Sequence, residues 1–383
     1  MDDSVSNDHE ISHLEPDNPT VNTQQVHRTM NLGRLLRSLT ALSALPFVLA
    51  QGTGLEAAGP LSRLASWSKV NLNGPTGPSA DCLLETQPGY LYTHIYYQSP
   101  DQHLREAYLS PGQKNWTQGK LSSDRPVSAV NNTPLAVVHW TDTSDVITLW
   151  YAAPTTQELT EKRFLNGAWQ PERGLNAKVH VSPARPGSIA AVAESPAGWV
   201  SVMYRDDINR VRICRYHWNS TSVNCAGAYT FTGALDGTST SGFFDADGSH
   251  FFYQSRDSPY DAVELVPSGT GSWKSVTAFP TKAQGVQFAA SRNRWPGTAV
   301  ERHMLVSTTD NVLSEVYSSS YCGGWCNCYA GISSAKPGPL LGLAVSSCTV
   351  NAKAYWVTPD KQIAEMTVDA TKGWVTTNTN ILA

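Results

Sequence analysis

The sequence predicts an all-β protein, a six-bladed β-propeller with about 50 residues and four short antiparallel strands in each blade. Two columns of residues recur with this period. The first column holds a glutamate in five of the six repeats, at Glu106, Glu161, Glu264, Glu315 and Glu365. In the third repeat this position is Ile213. The second column holds a tryptophan in every repeat, at Trp116, Trp169, Trp218, Trp273, Trp325 and Trp374. Two independent columns with one spacing indicate a tandem repeat.

Each repeat also has the residue pattern of four short strands. A stretch of small apolar residues comes first, as in residues 188–192, and suits the narrow axis where six strands converge. A run of β-branched and aromatic residues follows, then the segment that carries the glutamate, then the segment that carries the tryptophan. Turn residues such as Pro359-Asp360 separate the segments, as expected of hairpins.

The composition favours the same fold class and excludes one class of partner. Charged residues make up 16 % of the chain, fewer than the roughly 25 % of an average soluble protein. Few charges and many turn-forming residues favour strands over helices. The formal net charge is -4 and no basic stripe is present, so we expect no nucleic-acid partner.

The chain divides into four predicted segments. Residues 1–29 form a polar N-terminal extension, residues 30–50 a signal peptide or signal-anchor, residues 51–71 a linker, and residues 72–383 the propeller. The second segment has a basic start and a short apolar run, as export signals do. We therefore expect a secreted protein. It would be attached to a membrane, with the propeller outside, only if residues 35–50 remain as an uncleaved anchor.

Seven cysteines and three Asn-x-Ser/Thr sequons, at Asn115, Asn131 and Asn219, agree with an extracellular location. Cys214 and Cys225 lie in one predicted hairpin and are expected to pair. Bonding between Cys82 and Cys348 is a further option, because both lie in equivalent strands of the first and last blades. The remaining cysteines, Cys322, Cys326 and Cys328, lack the paired spacing of a zinc site, so we predict neither a metal nor a cofactor.

The first repeat carries the clearest family resemblance. It reads Ile95-Tyr96-Tyr97-Gln98, then Leu104-Arg105-Glu106, then Asn115-Trp116. This resembles the blade motif of the fungal fucose-specific lectins, which is Ile-Arg-Val-Tyr, a turn, Ile-Arg/Thr-Glu and then Gly-Trp. The resemblance extends over residues 72–383. It implies a six-bladed propeller whose sugar sites lie between adjacent blades. An arginine and a glutamate bind the sugar hydroxyls and ring oxygen, and aromatic residues stack on the apolar face of the sugar.

The resemblance assigns site residues repeat by repeat. The family's glutamate falls on Glu106, Glu161, Glu264, Glu315 and Glu365, and its stacking tryptophan on Trp116, Trp169, Trp273, Trp325 and Trp374. The family's arginine is replaced throughout, by His94, His250, His303 and Lys353, and by Thr148 and Ser201 in the second and third repeats. We expect Lys353 with Glu365 to be the first site to retain function. Repeat three, with Ile213, is expected to have lost its site, and Arg302 should face the opposite side of its strand from His303.

Three classes of function remain in competition. A lectin that binds fucosylated or other glycans without catalysis fits best, because equivalent glutamates around a ring indicate repeated binding. A degenerate propeller with a structural or protein-interaction role is the main alternative. In that case the tryptophans would pack between blades, and the glutamates would face solvent on outer strands. A glycoside hydrolase is least favoured, since it needs a pair of carboxylates at one cleft, and Asp245 with Asp247 is better explained as a turn. Assembly into a homodimer is left open.

Overall fold

Six small antiparallel sheets follow one another along the chain in the computed structural model, which confirms the all-β six-bladed propeller. The structure describes residues 79–381 except 85–90, 111, 124–125, 142–144, 182–187, 195–197, 237, 246, 258–260, 269–271, 282–285, 292–299, 308–312, 320–323, 333–342, 347–352, 359–361, 370–371 and 379. The predicted N-terminal extension, signal segment and linker lie outside these residues. Within them, the one helix is the four-residue α1, Lys120–Ser123, and no helix is long and apolar enough to cross a membrane.

The first three blades are formed in chain order. Blade 1 contains β1 Ser79–Leu84, β2 Leu91–Gln98, β3 His103–Leu109 and β4 Thr117–Gln118, with β5 Val127–Ser128 also paired to β3. Blade 2 contains β6 Ala136–Thr141, β7 Asp145–Ala152, β8 Glu158–Leu165 and, both paired to β8, β9 Ala168–Trp169 and β10 Arg173–Lys178. Blade 3 contains β11 Ile189–Glu194, β12 Trp199–Arg205, β13 Val211–His217 and β14 Tyr229–Phe231.

The other three blades are four-stranded sheets in simple meander order. Blade 4 contains β15 Ser241–Asp245, β16 Gly248–Gln254, β17 Asp261–Pro267 and β18 Trp273–Pro280. Blade 5 contains β19 Gln287–Ser291, β20 Val300–Ser307, β21 Leu313–Ser319 and β22 Gly324–Gly331. Blade 6 contains β23 Leu343–Ser346, β24 Lys353–Val357, β25 Ile363–Asp369 and β26 Gly373–Asn378.

The ring closes through the first strands. Each first strand contacts the first strand of the next blade, and β23 of blade 6 contacts β1 of blade 1. Small side chains allow this close approach, as expected from the sequence: Ala190 in β11 and Ala289 and Ala290 in β19 are all buried. The first strand of each repeat is therefore the innermost one.

The hydrophobic core is divided into layers between neighbouring blades. One layer joins Phe252 of blade 4 to Met304 and Val316 of blade 5. Another joins Met203 and Ile213 of blade 3 to side chains of blade 4. Because each sheet buries both of its faces in this way, a polar residue on a face that meets a neighbour must find its partners inside the protein.

One of the two predicted disulfides lies among the described residues. Cys214 and Cys225 are bonded, which confirms that pair, with their Cα atoms 5.3 Å apart. Cys326 is also disulfide-bonded, and therefore does not supply a thiolate to a zinc site. The suggested bond between Cys82 and Cys348 cannot be placed, since Cys348 lies outside the described residues.

Candidate functional site

The glutamate column lies on the third strand of each blade, opposite a large side chain of the second strand. The facing pairs are Tyr96 with Glu106, Trp150 with Glu161, Phe252 with Glu264, Leu305 with Glu315 and Tyr355 with Glu365. All five glutamates are buried, with 1 to 6 % of their surface exposed. The alternative interpretation of these residues as solvent-facing is therefore wrong. Buried carboxylates need hydrogen-bond donors or cations beside them.

In four blades the buried glutamate is paired with the side chain at the position of the family's arginine. It lies on the second strand, two residues before the residue that faces the glutamate, and so points to the same side of the sheet. The contacts are His94 Nδ1 to Glu106 Oε1 at 2.7 Å, His250 Nδ1 to Glu264 Oε1 at 2.7 Å, His303 Nδ1 to Glu315 Oε1 at 2.5 Å and Lys353 Nζ to Glu365 Oε2 at 3.3 Å. The structure thus brings each of these predicted pairs together.

Blade 2 has Thr148 at that position, and arginines from two other strands take its place. Arg163 lies opposite Thr148 on β8, and its Nε contacts Glu161 Oε1. Arg173 on β10 lies opposite Glu161 and places Nη2 2.6 Å from Oε2. Tyr216 of blade 3 donates its hydroxyl to Oε2 at 2.7 Å. The sequence analysis missed both arginines, although Glu161 and Arg163 are two residues apart and must share one face of a strand.

A further arginine reaches the site of blade 4. Arg302 faces away from His303, as the strand alternation predicts, and this direction points it toward the preceding blade. Its Nη2 lies 2.6 Å from Asp245 Oδ2, and its Nη1 lies 3.8 Å from Glu264 Oε1. His250 bridges the two acidic residues, since its second ring nitrogen lies 3.0 Å from Asp245 Oδ1. The arginine absent from its expected position in repeat four is therefore supplied by repeat five.

Three tryptophans of the column pack on the preceding blade beside its glutamate. Trp169 meets Tyr96 edge-on with the ring centroids 6.1 Å apart, and Trp116 meets Tyr355 in the same way at 6.0 Å. Trp325 meets Phe252 at 5.5 Å, and its indole N–H donates to Glu264 Oε2 at 3.1 Å. The sites of Glu106, Glu264 and Glu365 thus combine a glutamate and a basic residue of one blade with a tryptophan of the next blade.

The other tryptophans vary. Trp374 is buried in a layer with Leu305, the residue that faces Glu315. Trp273 packs on the core layer that contains Met203 and Ile213 of blade 3, and so lies at an interface whose column position has no carboxylate. The third-repeat Trp218 packs on Trp140 at 6.2 Å, which leaves Tyr216 as the aromatic partner of the blade 2 site.

Tyrosine hydroxyls donate to the glutamate in three of the sites, from Tyr96, Tyr216 and Tyr355. Burial raises the pKa of Tyr216 well above its ordinary value, and the negative charge of Glu161 raises it further. Burial and the charge of Glu365 do the same to the pKa of Tyr355. Both hydroxyls therefore stay protonated, and Tyr355 donates to Glu365 Oε2 at 3.1 Å.

One group of side chains has the spacing of metal ligands. Asp245, Asp247 and His250 each place a ligand atom within 4.8 Å of the others. Arg302 forms ion pairs with both aspartates, and His250 bonds to Asp245 and to Glu264. These ion pairs and hydrogen bonds explain why the three side chains lie close together without a metal ion. The aspartates also form the predicted turn, since the Asp247 N–H donates to Asp245 Oδ1 at 2.9 Å.

Comparison with solved structures places the fold among known lectin propellers. A fucose-specific lectin from Aleuria aurantia matches with a TM-score of 0.64 at 20 % identity, covering 81 % of this chain and 97 % of that one. The SapL1 lectin in complex with α-methyl fucoside matches at 0.59 and 19 % identity, covering 81 % and 97 %. The BP39L lectin from Burkholderia pseudomallei matches at 0.58 and 13 % identity, covering 80 % and 86 %.

The similarity lies in the fold and not in the sequence. No protein-family model matches this chain, and no curated protein sequence matches it significantly. At these low identities the structural matches establish the six-bladed propeller fold alone. They leave the ligand to be argued from the residues of this chain.

Proposed function

We propose that this protein is a lectin that binds fucose-containing or closely related glycans between adjacent blades, without catalysis. One observation carries the proposal: five buried glutamates occupy equivalent places in the ring, and each contacts at least one basic side chain. Charged donors and acceptors in a fixed arrangement match the hydroxyl groups of a sugar, and an adjoining aromatic ring matches its apolar face. Shallow repeated sites of this kind gain strength through multivalency.

The blade 2 and blade 4 sites are the strongest candidates on chemical grounds. A guanidinium offers a planar fork of donors to vicinal hydroxyls, which neither lysine nor a single histidine nitrogen can offer. Arg173 and Arg302 keep 22 % and 20 % of their side chains exposed, and so can meet a ligand from outside. This ranks both sites above the pair of Lys353 and Glu365, which the sequence alone places first. The solved lectin in complex with α-methyl fucoside supports fucose as the first sugar to test.

A structural or protein-binding role competes with this proposal, because the buried glutamates already accept internal hydrogen bonds. Glu106, for example, also accepts from the Tyr96 hydroxyl and the Leu121 N–H. Hydrolysis of a glycoside is less well supported. Two carboxylates must flank one bond in that reaction, whereas the column places a single glutamate in each of five blades.

Isothermal titration of the full chain with methyl α-L-fucoside tests the proposal. We expect saturable binding, and a stoichiometry that falls by about one site in Glu161→Gln and in Glu264→Gln if each contributes one independent site. The matched control is Asp207→Asn, an acid-to-amide change at an exposed hairpin residue. Binding only to other sugars on a glycan array would support the lectin function and contradict the specificity for fucose. A folded protein that binds no glycan would favour the structural or protein-interaction role.

We further propose that the propeller is exported. The three sequon asparagines, Asn115, Asn131 and Asn219, all lie at exposed positions between strands, where a glycosylating enzyme can reach them. The bond between Cys214 and Cys225 fits an oxidising compartment. Secretion is tested by expressing the full chain in a eukaryotic host and assaying the medium for protein whose mass falls on deglycosylation. Retention of unglycosylated protein inside the cell would contradict export.

A further inference from the structure

Blade 3 carries an exposed aromatic and charged cluster outside the glutamate column. Its members lie side by side where the strands β11, β12 and β13 meet: Glu194 pairs with Trp199, and Trp199 pairs with His217. Trp199 keeps 36 % of its surface exposed, whereas the column tryptophans are all less exposed. The exposed part of the Trp199 ring is therefore open to a ligand.

Arg215 joins this cluster and is held in one orientation. Its guanidinium lies over the Trp199 ring, 4.6 Å from the centroid. Its Nη2 donates to Glu194 Oε2 at 2.6 Å, and its Nε lies 3.1 Å from both carboxylate oxygens. This forked pairing and the stacking fix the plane of the guanidinium, while 38 % of the side chain remains exposed. A pre-positioned donor loses less freedom on binding a ligand.

Glu194 is in turn held from both sides of the interface. It accepts hydrogen bonds from Ser201 Oγ of blade 3 and Ser249 Oγ of blade 4, each at 2.9 Å. Gly198 lets the adjoining His217 ring lie close, since a Cβ at that position would come within 2.8 Å of His217 Nε2, and its φ of +69° also favours glycine. Buried serines thus hold Glu194, Glu194 holds Arg215, and Arg215 and Trp199 are exposed at the surface.

The cluster provides a paired carboxylate and guanidinium in blade 3, which has no carboxylate in the glutamate column. Ile213 occupies the glutamate column there, fully buried among apolar side chains. In its place, Glu194 supplies the carboxylate from the end of the first strand. Arg215 supplies the cation from the third strand, opposite Ser201, at the position that Arg163 holds in blade 2 opposite Thr148.

We propose that Trp199, Arg215 and His217 form an additional binding site for a neutral pyranose sugar at the edge of blade 3. This inference rests on the proposed lectin function but uses a different set of residues. The open part of the indole stacks against the C–H face of the sugar, and the outer edge of Arg215 donates to hydroxyls. A neutral sugar is expected because Glu194 already balances the charge of the guanidinium.

Fluorine NMR of the full chain labelled with 5-fluorotryptophan tests the site directly. Trp199→Phe identifies the Trp199 resonance, and the sample is then titrated with methyl α-L-fucoside, methyl α-D-mannoside and methyl β-D-galactoside. We expect the Trp199 resonance to shift saturably with at least one of these sugars. Arg215→Lys keeps the charge and loses the fork, and should weaken binding at Trp199 about tenfold while the other resonances titrate as before.

The outcomes separate this site from the sites between blades. If Trp150, which donates to Tyr216 in the blade 2 site, or Trp325 in the blade 4 site responds to a sugar and Trp199 does not, the blade 3 site is overturned and the proposed lectin function stands. If Trp199 alone responds, the blade 3 site stands and the sites between blades are overturned. If no tryptophan responds to any of the three sugars, both proposals are overturned. Unchanged dispersion of the remaining resonances shows that each variant is folded.

Discussion

The substitution Glu161→Gln tests whether the buried glutamates are held by internal ion pairs. The carboxylate of Glu161 is 1 % exposed and accepts from Arg163, Arg173 and Tyr216. A glutamine accepts through one oxygen only and turns its amide hydrogens toward a remaining donor. At least one hydrogen bond to a charged group is therefore lost, which costs about 1.5–3 kcal/mol. The two arginine side chains keep 16 % and 22 % exposure, so water screens the charge left behind.

We expect the free energy of unfolding of Glu161→Gln to fall by about 2 kcal/mol in urea at pH 7, with an unchanged dependence on denaturant. Tryptophan fluorescence reports the transition. The control Asp207→Asn removes a carboxylate from an exposed hairpin and should stay within about 0.5 kcal/mol of the natural protein. Equal stabilities for the two variants would refute the inference that Glu161 is held by these donors.

Three further predictions concern blade 3. Replacing Cys214 and Cys225 by serine removes a cross-link over a sequence separation of 11 residues and should lower the free energy of unfolding by about 2–3 kcal/mol. Urea unfolding measures this, and a reductant should remove the difference from the natural protein. Ile213→Glu places a carboxylate at a fully buried apolar position, and the cation on its own strand face, Arg215, already pairs with Glu194, so the change should cost at least about 3 kcal/mol, seen as a lower melting temperature. A variant that melts with the natural protein would contradict this. Burial by itself raises the pKa of Glu194, but hydrogen bonds from Arg215 and two serines outweigh it and hold the pKa below its ordinary value. Its ionised form therefore adds stability above the pKa of the unfolded chain, and this is lost as the pH falls through the lowered pKa. The stability difference between the natural protein and Glu194→Gln should shrink from pH 7 toward pH 3. A difference that stays constant would show that Glu194 is not held in this way.

The repeat explains why much of the candidate site can be predicted. Residues two apart on a strand share a face, and facing residues of a hairpin share that face as well. The spacing between His94 and Glu106 therefore predicts their contact once the hairpin is assumed, and the same holds for His303 with Glu315. A pattern that recurs six times also tolerates divergence in any one repeat, so Ile213 stands out as the exception.

Strand alternation and repeat spacing do not predict the contacts of Arg302 and Arg173. Arg302 lies next to His303 in the chain, and strand alternation alone turns it to the other face. Whether that face meets solvent or the site of blade 4 depends on how the two blades pack. Arg173 reaches Glu161 because β10 pairs with β8 after the short β9, a connection that the four-stranded blades 3 to 6 do not have.

The sequence by itself determined the number of blades, the innermost strands, the glutamate and tryptophan columns and the pairing of Cys214 with Cys225. All of these are patterns of spacing and residue type along the chain. Only the tertiary structure decided which cation serves each buried glutamate and that blade 3 presents Trp199 with Arg215 at its surface. The physical reason is that a charge is satisfied by whatever lies within about 3 Å of it, and that neighbourhood is set by strand register and by contact between blades.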